Sequence, residues 1–357
     1  MIAILRALAL LVLVAALAAA PGVGPWPGDR PALAQEQVPG GALGDTSDAD
    51  FWRAIRQGES FSTTLPDPKA ATLIQSEGDN WRAIRNGPLS TYGAWALLGI
   101  LAVLALFFVL RGRIRLEHGW SGQTITRFNF LERFTHWLTA TCFVVLALTG
   151  LNMLYGRYVL RPLIGPEAFS MLTLGGKYAH NYLAFGFMIG LVLMFVLWAW
   201  QNLPNRHDLV WLAKGGGMFT KGTHPPAKKF NAGQKLLFWL VILAGVSVSL
   251  SGLMLMFPFE YAAFGPTFGW INSIVGTELP TALAPIQEMQ LAQLWHAIVG
   301  LFLTAVIIAH IYIGTIGMEG AFAAMGSGEV DANWAREHHS LWVQDLKGKE
   351  AYGAGDD

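Results

Sequence analysis

Five long stretches of apolar residues, each free of charged side chains, dominate the pattern along the 357-residue chain. Each meets or exceeds the roughly 18 residues that a helix needs to cross a bilayer's hydrocarbon core of about 30 Å. The pattern therefore predicts an all-α membrane protein with five transmembrane helices. The five windows are Gly93–Leu110, Phe134–Gly156, Tyr178–Asn205, Leu236–Phe259 and Met289–Met318.

The first residues have the pattern of an export signal. Arg6 precedes the apolar run Ala7–Ala20, and a site of small residues, Ala32-Leu33-Ala34, follows. We expect a signal peptide over residues 1–34 that is cleaved after Ala34; an uncleaved membrane anchor is the alternative. The other predicted parts are a segment outside the cytoplasm over 35–90, an extra transmembrane helix over 91–111, a helical core over 125–320 and a cytoplasmic tail over 321–357.

Lys and Arg residues are distributed unevenly between the connecting segments. Eleven of them lie in segments 111–133 and 201–235, whereas three lie in 154–177 and none lies in 258–290. Segments rich in Lys and Arg stay on the cytoplasmic side of a membrane. The sequence therefore predicts a bacterial inner-membrane protein whose first helix runs from outside to inside, with the C-terminus in the cytoplasm.

Composition agrees with a membrane protein and excludes several other classes. Hydrophobic residues make up 53% of the chain and charged residues 13%, and the mean hydropathy is +0.42. The 24 Lys and Arg residues balance the 24 Asp and Glu residues, so no overall positive field favours nucleic-acid binding. The single cysteine, Cys142, excludes an intrachain disulfide, a two-cysteine attachment site for c-type haem and a cysteine-ligated cluster on this chain alone.

Two short motifs occur twice. Trp52–Gly58 (WRAIRQG) recurs as Trp81–Gly87 (WRAIRNG), 29 residues later, and we interpret the two copies as a paired docking motif. In the membrane part, Leu148–Leu151 (LTGL) resembles Leu250–Leu253 (LSGL) at an offset of 102 residues. The second similarity indicates a duplicated helical hairpin.

Four histidines lie inside the charge-free windows, where an imidazole needs a polar or metal partner. His296 and His310 share one helix and are 14 residues apart, which gives about 21 Å of rise and close to four full turns. The predicted helix directions put His180, which lies in the first turn of its window, at the same depth as His296, in the outer half of the membrane. The same directions put His136 at the depth of His310, in the half of the membrane nearer the cytoplasm. Two such pairs, each joining two helices at one depth, match the ligands of two stacked b-type haems.

Other interpretations of these histidines remain open. Each ring could simply bond a neighbouring helix, which would make the chain a haem-free membrane anchor or transporter. Zinc or non-haem iron fits poorly, because two separate pairs without nearby Asp, Glu or Cys leave each metal short of ligands. The histidines in polar segments are expected to be ordinary surface residues: His118, His207, His224, His338 and His339.

Several motifs resemble the gamma subunit of membrane-bound respiratory formate dehydrogenase, a di-haem cytochrome b that passes electrons to quinone. The resemblance covers about residues 125–345. Its most discriminating element is Asn-Ala-Gly-Gln-Lys at 231–235, because the histidine pattern is shared with cytochrome b subunits of nickel-iron hydrogenases. The motifs are Glu132–Trp137, Leu148–Gly150, Tyr178–His180, Lys229–Lys235, His296 with Gly300, His310–Tyr312 and Trp334–His339.

The resemblance implies a four-helix transmembrane di-haem cytochrome b bundle plus one additional N-terminal transmembrane helix. It implies an outer haem on His180 and His296 and an inner haem on His136 and His310. The additional helix contains no histidine and is expected to lie outside the haem core.

The resemblance also implies a site for menaquinone or ubiquinone at Asn231, Gly233 and Gln234, beside His310. The alternative to a quinone site is that Asn231 simply caps the N-terminus of the following helix. The implied partners are an iron–sulfur beta subunit and a molybdopterin alpha subunit, which would oxidise formate, so formate oxidation is not expected on this chain. The cytochrome b subunit of a nickel-iron hydrogenase is the nearest alternative identity.

Overall fold

The computed structural model divides the chain into two compact units, one of residues 89–250 and 296–357 and the other of residues 1–88 and 251–295. The predicted signal peptide lies outside the described residues, as does the first copy of the WRAIRxG motif before Ala54. The structure describes residues 54–62, 72–73, 78–220 and 222–353.

Five helices among the described residues are long and apolar enough to cross a membrane, which confirms the predicted number of spans. Other helices of the described part are Gly78–Ile84, Arg161–Ile164, Arg206–Ala213, Phe264–Val275, Ala323–Gly326, Ala332–His338 and Ser340–Gly353. The spanning helices are α1 (Ser90–Arg111), α2 (Phe130–Val159), α3 (Pro166–Trp198), α4 (Ala232–Met256) and α5 (Pro285–Tyr312).

Helix α3 starts much earlier than the charge-free window suggests, so the expectation that His180 lies in its first turn is wrong. The helix begins at Pro166 and includes Glu167 and Lys177. A Pro at the first helical position fits its fixed φ, and long charged side chains near a helix end can extend their polar groups towards water. His180 therefore lies about four turns into the helix.

Glycines bring helices α2 and α3 into close contact. A Cβ at Gly190 would lie 2.3 Å from Thr139 Oγ1, and a Cβ at Gly186 would lie 2.9 Å from Cys142 Sγ. Only glycine fits at such distances, as is common where membrane helices pack tightly. Cys142 is a free, buried residue of this contact, 5% exposed.

Helix α1 packs on the bundle through its first turn. A Cβ at Gly93 would lie 2.6 Å from Leu301 Cδ1 of α5 and 2.8 Å from Tyr155 Oη of α2. The Tyr155 hydroxyl donates a hydrogen bond to the Ser90 carbonyl at 2.9 Å. The additional helix thus packs against two histidine-bearing helices and carries no histidine itself.

Two short antiparallel sheets interrupt the otherwise helical fold. Strand β1 (Phe61–Ser62) pairs with β2 (Thr72–Leu73), and β3 (Thr124–Thr126) pairs with β4 (Glu329–Asp331). The β3–β4 pair joins the segment before α2 to the segment after α5. The prediction from apolar windows could not find these strands, because each has only two or three residues.

Residues 321–343 pack into the unit of residues 89–250 and 296–357. Trp334 and Trp342 are 3% and 8% exposed and belong to one apolar cluster with Phe128, Trp198 and Phe230. Arg133 and Trp137 of α2 donate hydrogen bonds to backbone carbonyls of this segment, among them Trp137 Nε1 to Met325 O at 2.8 Å. The C-terminal segment therefore covers the N-terminal end of α2.

The two copies of the WRAIRxG motif lie in different environments. Ile55 of the first copy is 1% exposed, whereas the equivalent Ile84 of the second copy, at the end of the helix Gly78–Ile84, is 45% exposed.

The unit of residues 1–88 and 251–295 also contains the helix Phe264–Val275. Glu288 accepts hydrogen bonds from the backbone N–H groups of Phe264 and Gly265, both at 2.8 Å.

Candidate functional site: two pairs of facing histidines

The structure brings the four membrane histidines together in two pairs. The ring centres of His180 and His296 are 6.1 Å apart, and those of His136 and His310 are also 6.1 Å apart. The ring planes are inclined at 61° and 68°, respectively. These are the pairs that the depth argument predicts, and each joins α5 to a second helix.

The separation within each pair fits a metal ion between two imidazoles. Two metal–nitrogen bonds of about 2 Å and about 1.1 Å from each nitrogen to its ring centre give about 6.2 Å between centres. No group of three or more His, Cys, Asp or Glu side chains in the described part of the chain could hold a metal ion. A metal at either pair would therefore need its other ligands from another group, and a haem macrocycle supplies such ligands to its iron.

Hydrogen bonds orient both rings of the His180–His296 pair. His296 Nδ1 lies 3.0 Å from the Val248 carbonyl, which can only accept, so Nδ1 carries the proton. His180 Nδ1 lies 2.8 Å from Thr149 Oγ1. In both rings Nδ1 is engaged with the protein, so Nε2 is the nitrogen that would bind a haem iron.

The His136–His310 pair is held differently. His136 Nδ1 is buried and has no hydrogen-bond partner among the described residues. The ring of His136 instead lies 5.2 Å from that of Trp137, in an edge-to-face arrangement. Aromatic packing therefore takes part in positioning this imidazole.

Two glycines beside the His180–His296 pair leave room for a flat group. A Cβ at Gly300, one turn beyond His296, would meet no atom within 4 Å. A Cβ at Gly150 would meet only His180 Cε1, at 3.6 Å. The space at these positions is compatible with a macrocycle between α2, α3 and α5.

A buried carboxylate lies one turn from His136. Glu132 is 7% exposed, and its Oε1 accepts hydrogen bonds from Lys229 Nζ at 2.7 Å and Trp198 Nε1 at 3.0 Å. Glu132 Oε2 accepts from the Asn129 N–H at 2.9 Å, which completes a capping box at the start of α2. Glu132 begins the Glu132–Trp137 motif, but nothing in its sequence surroundings indicates this network, because Lys229 and Trp198 lie far away along the chain.

A buried cation lies before the start of α2. The Arg127 guanidinium is stacked between the rings of Phe128, Trp334 and Trp342, at 5.1 to 5.3 Å from their centres. Burial lowers the pKa of Arg127 to about 9, although nearby Glu132 acts in the opposite direction. Arg127 therefore remains charged near neutral pH and fixes the aromatic cluster.

Two of the histidines expected at the surface are not ordinary surface residues. His339 is 1% exposed, and its Nδ1–H donates to the Lys228 carbonyl at 2.7 Å. Burial holds the pKa of His339 well below its usual value, and burial lowers the pKa of His338 to about 4. His118 fits the expectation, since its side chain is 73% exposed.

The predicted quinone block forms the N-terminus of α4. Asn231 Oδ1 accepts from the Gln234 N–H at 2.9 Å, and Gln234 Oε1 accepts from the Asn231 N–H at 3.1 Å. Both side-chain oxygens are therefore used in a capping box. Gly233 faces Trp211, because a Cβ there would lie 2.8 Å from Trp211 Cη2. His310, the remaining residue of the predicted quinone site, faces His136 in the second histidine pair.

A membrane-spanning helical bundle with two pairs of facing imidazoles is the architecture of a membrane-bound cytochrome of the b type. Comparison with known families agrees. The chain belongs to the prokaryotic cytochrome b561 family, whose model matches residues 127–328, more than half of the chain. Membership implies b-type haem as the prosthetic group.

Several curated proteins are similar to this chain. The cytochrome b556 subunit of the nitrate-inducible formate dehydrogenase of Escherichia coli K12 is 25% identical over 233 residues, which is 64% of this chain and 94% of that protein. A second formate dehydrogenase cytochrome b556 subunit of the same organism is 26% identical over 226 residues, 63% of this chain and 94% of that protein. The corresponding subunit of Haemophilus influenzae is 24% identical over 225 residues, 62% of this chain and 83% of that protein.

Proposed function

We propose that this chain is the membrane electron-transfer subunit of a formate dehydrogenase complex, with two b-type haems and with membrane quinone as its electron acceptor. The observation that carries the proposal is the pair of 6.1 Å ring separations at two positions along α5. The names of the similar proteins support the choice of complex.

His180 and His296 are proposed to hold the outer haem, and His136 and His310 the inner haem. A bound haem supplies one-electron redox chemistry at its iron. The chain's own contribution is to hold the imidazoles on α2, α3 and α5 and to shield them with apolar helices. Formate oxidation belongs to a molybdopterin alpha subunit, and an iron–sulfur beta subunit supplies the electrons.

The proposed location is the bacterial inner membrane, with residues 35–90 in the periplasm and the C-terminus in the cytoplasm. The excess of Lys and Arg in segments 111–133 and 201–235 supports this orientation. Residues 1–34 act as the signal peptide in this proposal. The WRAIRxG copies would contact the iron–sulfur subunit on the periplasmic side.

Quinone is proposed to bind at Asn231, Gly233 and Gln234, beside His310. The capping box uses the oxygens of Asn231 and Gln234, so their amide N–H groups are the polar groups left to donate to a quinone carbonyl. Quinone reduction on this side of the membrane would take protons from the cytoplasm.

Formate addition to the purified complex tests the function. We expect a reduced-minus-oxidised spectrum with b-type bands that corresponds to two haems per chain, and loss of these bands on adding oxidised quinone. Reduction by hydrogen and not by formate would instead identify a hydrogenase subunit. Absence of b-type bands would identify a haem-free anchor.

Asn231→Asp separates helix capping from quinone binding. Aspartate keeps the capping oxygen but removes the amide donor, so we expect the kcat/KM for quinone to fall about tenfold while the thermal midpoint is unchanged. The matched control is Asn205→Asp, since Asn205 caps the helix Arg206–Ala213 in the same way. An equal loss of quinone activity in both variants would remove Asn231 from the site.

A further inference from the structure

Thr149 of α2 makes three short contacts that together fix the direction of its hydroxyl proton. Its Oγ1 lies 2.7 Å from the Val145 carbonyl and 3.1 Å from the Leu146 carbonyl, and both carbonyls can only accept. A threonine hydroxyl has one proton and two lone pairs. The proton is directed to these carbonyls, so the Oγ1 lone pair accepts from His180 Nδ1–H at 2.8 Å.

We propose that Thr149 is a positioning residue for the outer haem site: it holds His180 with Nδ1 protonated, so that Nε2 is the nitrogen that would bind the haem iron. This inference rests on the proposed function, because it assigns a role within the predicted ligand pair His180–His296. Gly176 of α3 lies beside Thr149, because a Cβ there would lie 3.4 Å from Thr149 Cγ2.

The internal repeat relates the regions of α2 and α4 that contact the two histidines. At the offset of 102 residues, Thr149 corresponds to Ser251 and Leu146 corresponds to Val248. The Val248 carbonyl accepts the Nδ1–H of His296, the partner ring across the pair. Each repeated helix therefore holds one histidine of the pair through Nδ1, but by different groups: α2 uses the Thr149 hydroxyl and α4 uses the Val248 carbonyl, two residues before the LSGL motif.

The hydrogen bond from His180 to Thr149 should change the basicity of the His180 imidazole as well as its orientation. A histidine that donates its second N–H to an oxygen becomes a more basic ligand, and a more basic ligand stabilises oxidised iron. Both rings of the His180–His296 pair have such an acceptor, whereas His136 Nδ1 has none among the described residues. Thr149 is thus expected to lower the midpoint potential of the outer haem.

Redox titration of the Thr149→Val variant in the intact complex tests the proposal. Valine has nearly the same shape as threonine and removes only the hydroxyl. We expect the outer-haem potential to rise, so that the ratio of reduced to oxidised outer haem at the wild-type midpoint increases roughly tenfold, or about 59 mV for one electron. The inner-haem potential is expected to stay unchanged.

Two further variants make the result specific. Thr149→Ser retains a hydroxyl and should restore the wild-type potential. Thr139→Val removes a buried hydroxyl of α2 that donates to the Thr135 carbonyl at 2.8 Å, and it should leave the outer-haem potential unchanged.

Unchanged potentials in Thr149→Val, with two haems bound, would overturn the role of Thr149 alone. An equal shift in Thr149→Ser would also overturn it, because that variant keeps the hydroxyl. Fewer than two b-type haems in the unmodified protein would instead refute the proposed function, so the two failures are distinguishable.

Discussion

The His180→Ala variant is expected to contain one haem per chain, whereas the proposed function gives the unmodified protein two. A b-type haem has no covalent link to the protein, so loss of one of two axial imidazoles removes much of what retains it. The His180 and His296 rings face each other at 6.1 Å, and His296→Ala should therefore lose the same haem. The haem-to-protein ratio, measured by the pyridine haemochromogen method, checks this result.

Double variants test the pairing itself. His180→Ala combined with His296→Ala should still retain one haem, whereas His180→Ala combined with His310→Ala should retain none. His118→Ala is the control, because its side chain is 73% exposed, and it should retain two haems. If the His180 and His296 variants lost different haems, the proposed ligand pairs would be incorrect.

Glu132→Ala is expected to destabilise the protein by about 1 to 3 kcal/mol, the usual cost of leaving buried hydrogen-bonding groups without a partner, since the Lys229 side chain is 23% exposed. The change would leave Lys229 Nζ and Trp198 Nε1 without their acceptor and would break the capping box with Asn129. The thermal midpoint of the purified protein, followed by tryptophan fluorescence and haem absorbance, provides the measurement. The loss of stability should be accompanied by release of the haem at His136, one turn away.

Two other substitutions separate the charge from the hydrogen bonds. Glu132→Gln keeps an acceptor for Trp198 and is expected to be less destabilising than Glu132→Ala. Glu329→Ala removes an exposed carboxylate that accepts from the Thr124 hydroxyl at 2.8 Å, and it should cost less than about 0.5 kcal/mol. If Glu132→Ala and Glu329→Ala had the same thermal midpoint, the network around Glu132 would not stabilise the bundle.

The spans could be predicted from sequence because a charge-free window of sufficient length has few alternatives to a membrane helix. Their ends could not be predicted as well, as α3 shows: Glu167 and Lys177 lie inside the helix, and a search for uncharged residues stops at them. The histidine pairs could be predicted because helix rise and alternating direction determine which residues lie at one level, although the predicted start of α3 was wrong.

The contacts around the pairs could not be predicted, since they join residues far apart in sequence. Glu132 and Lys229 are 97 residues apart, and Arg127 lies against Trp334 and Trp342 from beyond the last span. His339 looked like a surface residue because its neighbours in sequence are polar. The Asn231 block illustrates a different limit, because one motif can both cap a helix and bind a ligand.

Two helices independently set the spacing between the histidine pairs. On α5, 14 residues separate His296 from His310, and on α2, 13 residues separate His136 from Thr149, so each helix spans about 20 Å between the two levels. A single inserted residue in either interval would rotate everything beyond it by about 100°. Length variation among relatives should therefore be confined to the loops, while both intervals stay constant.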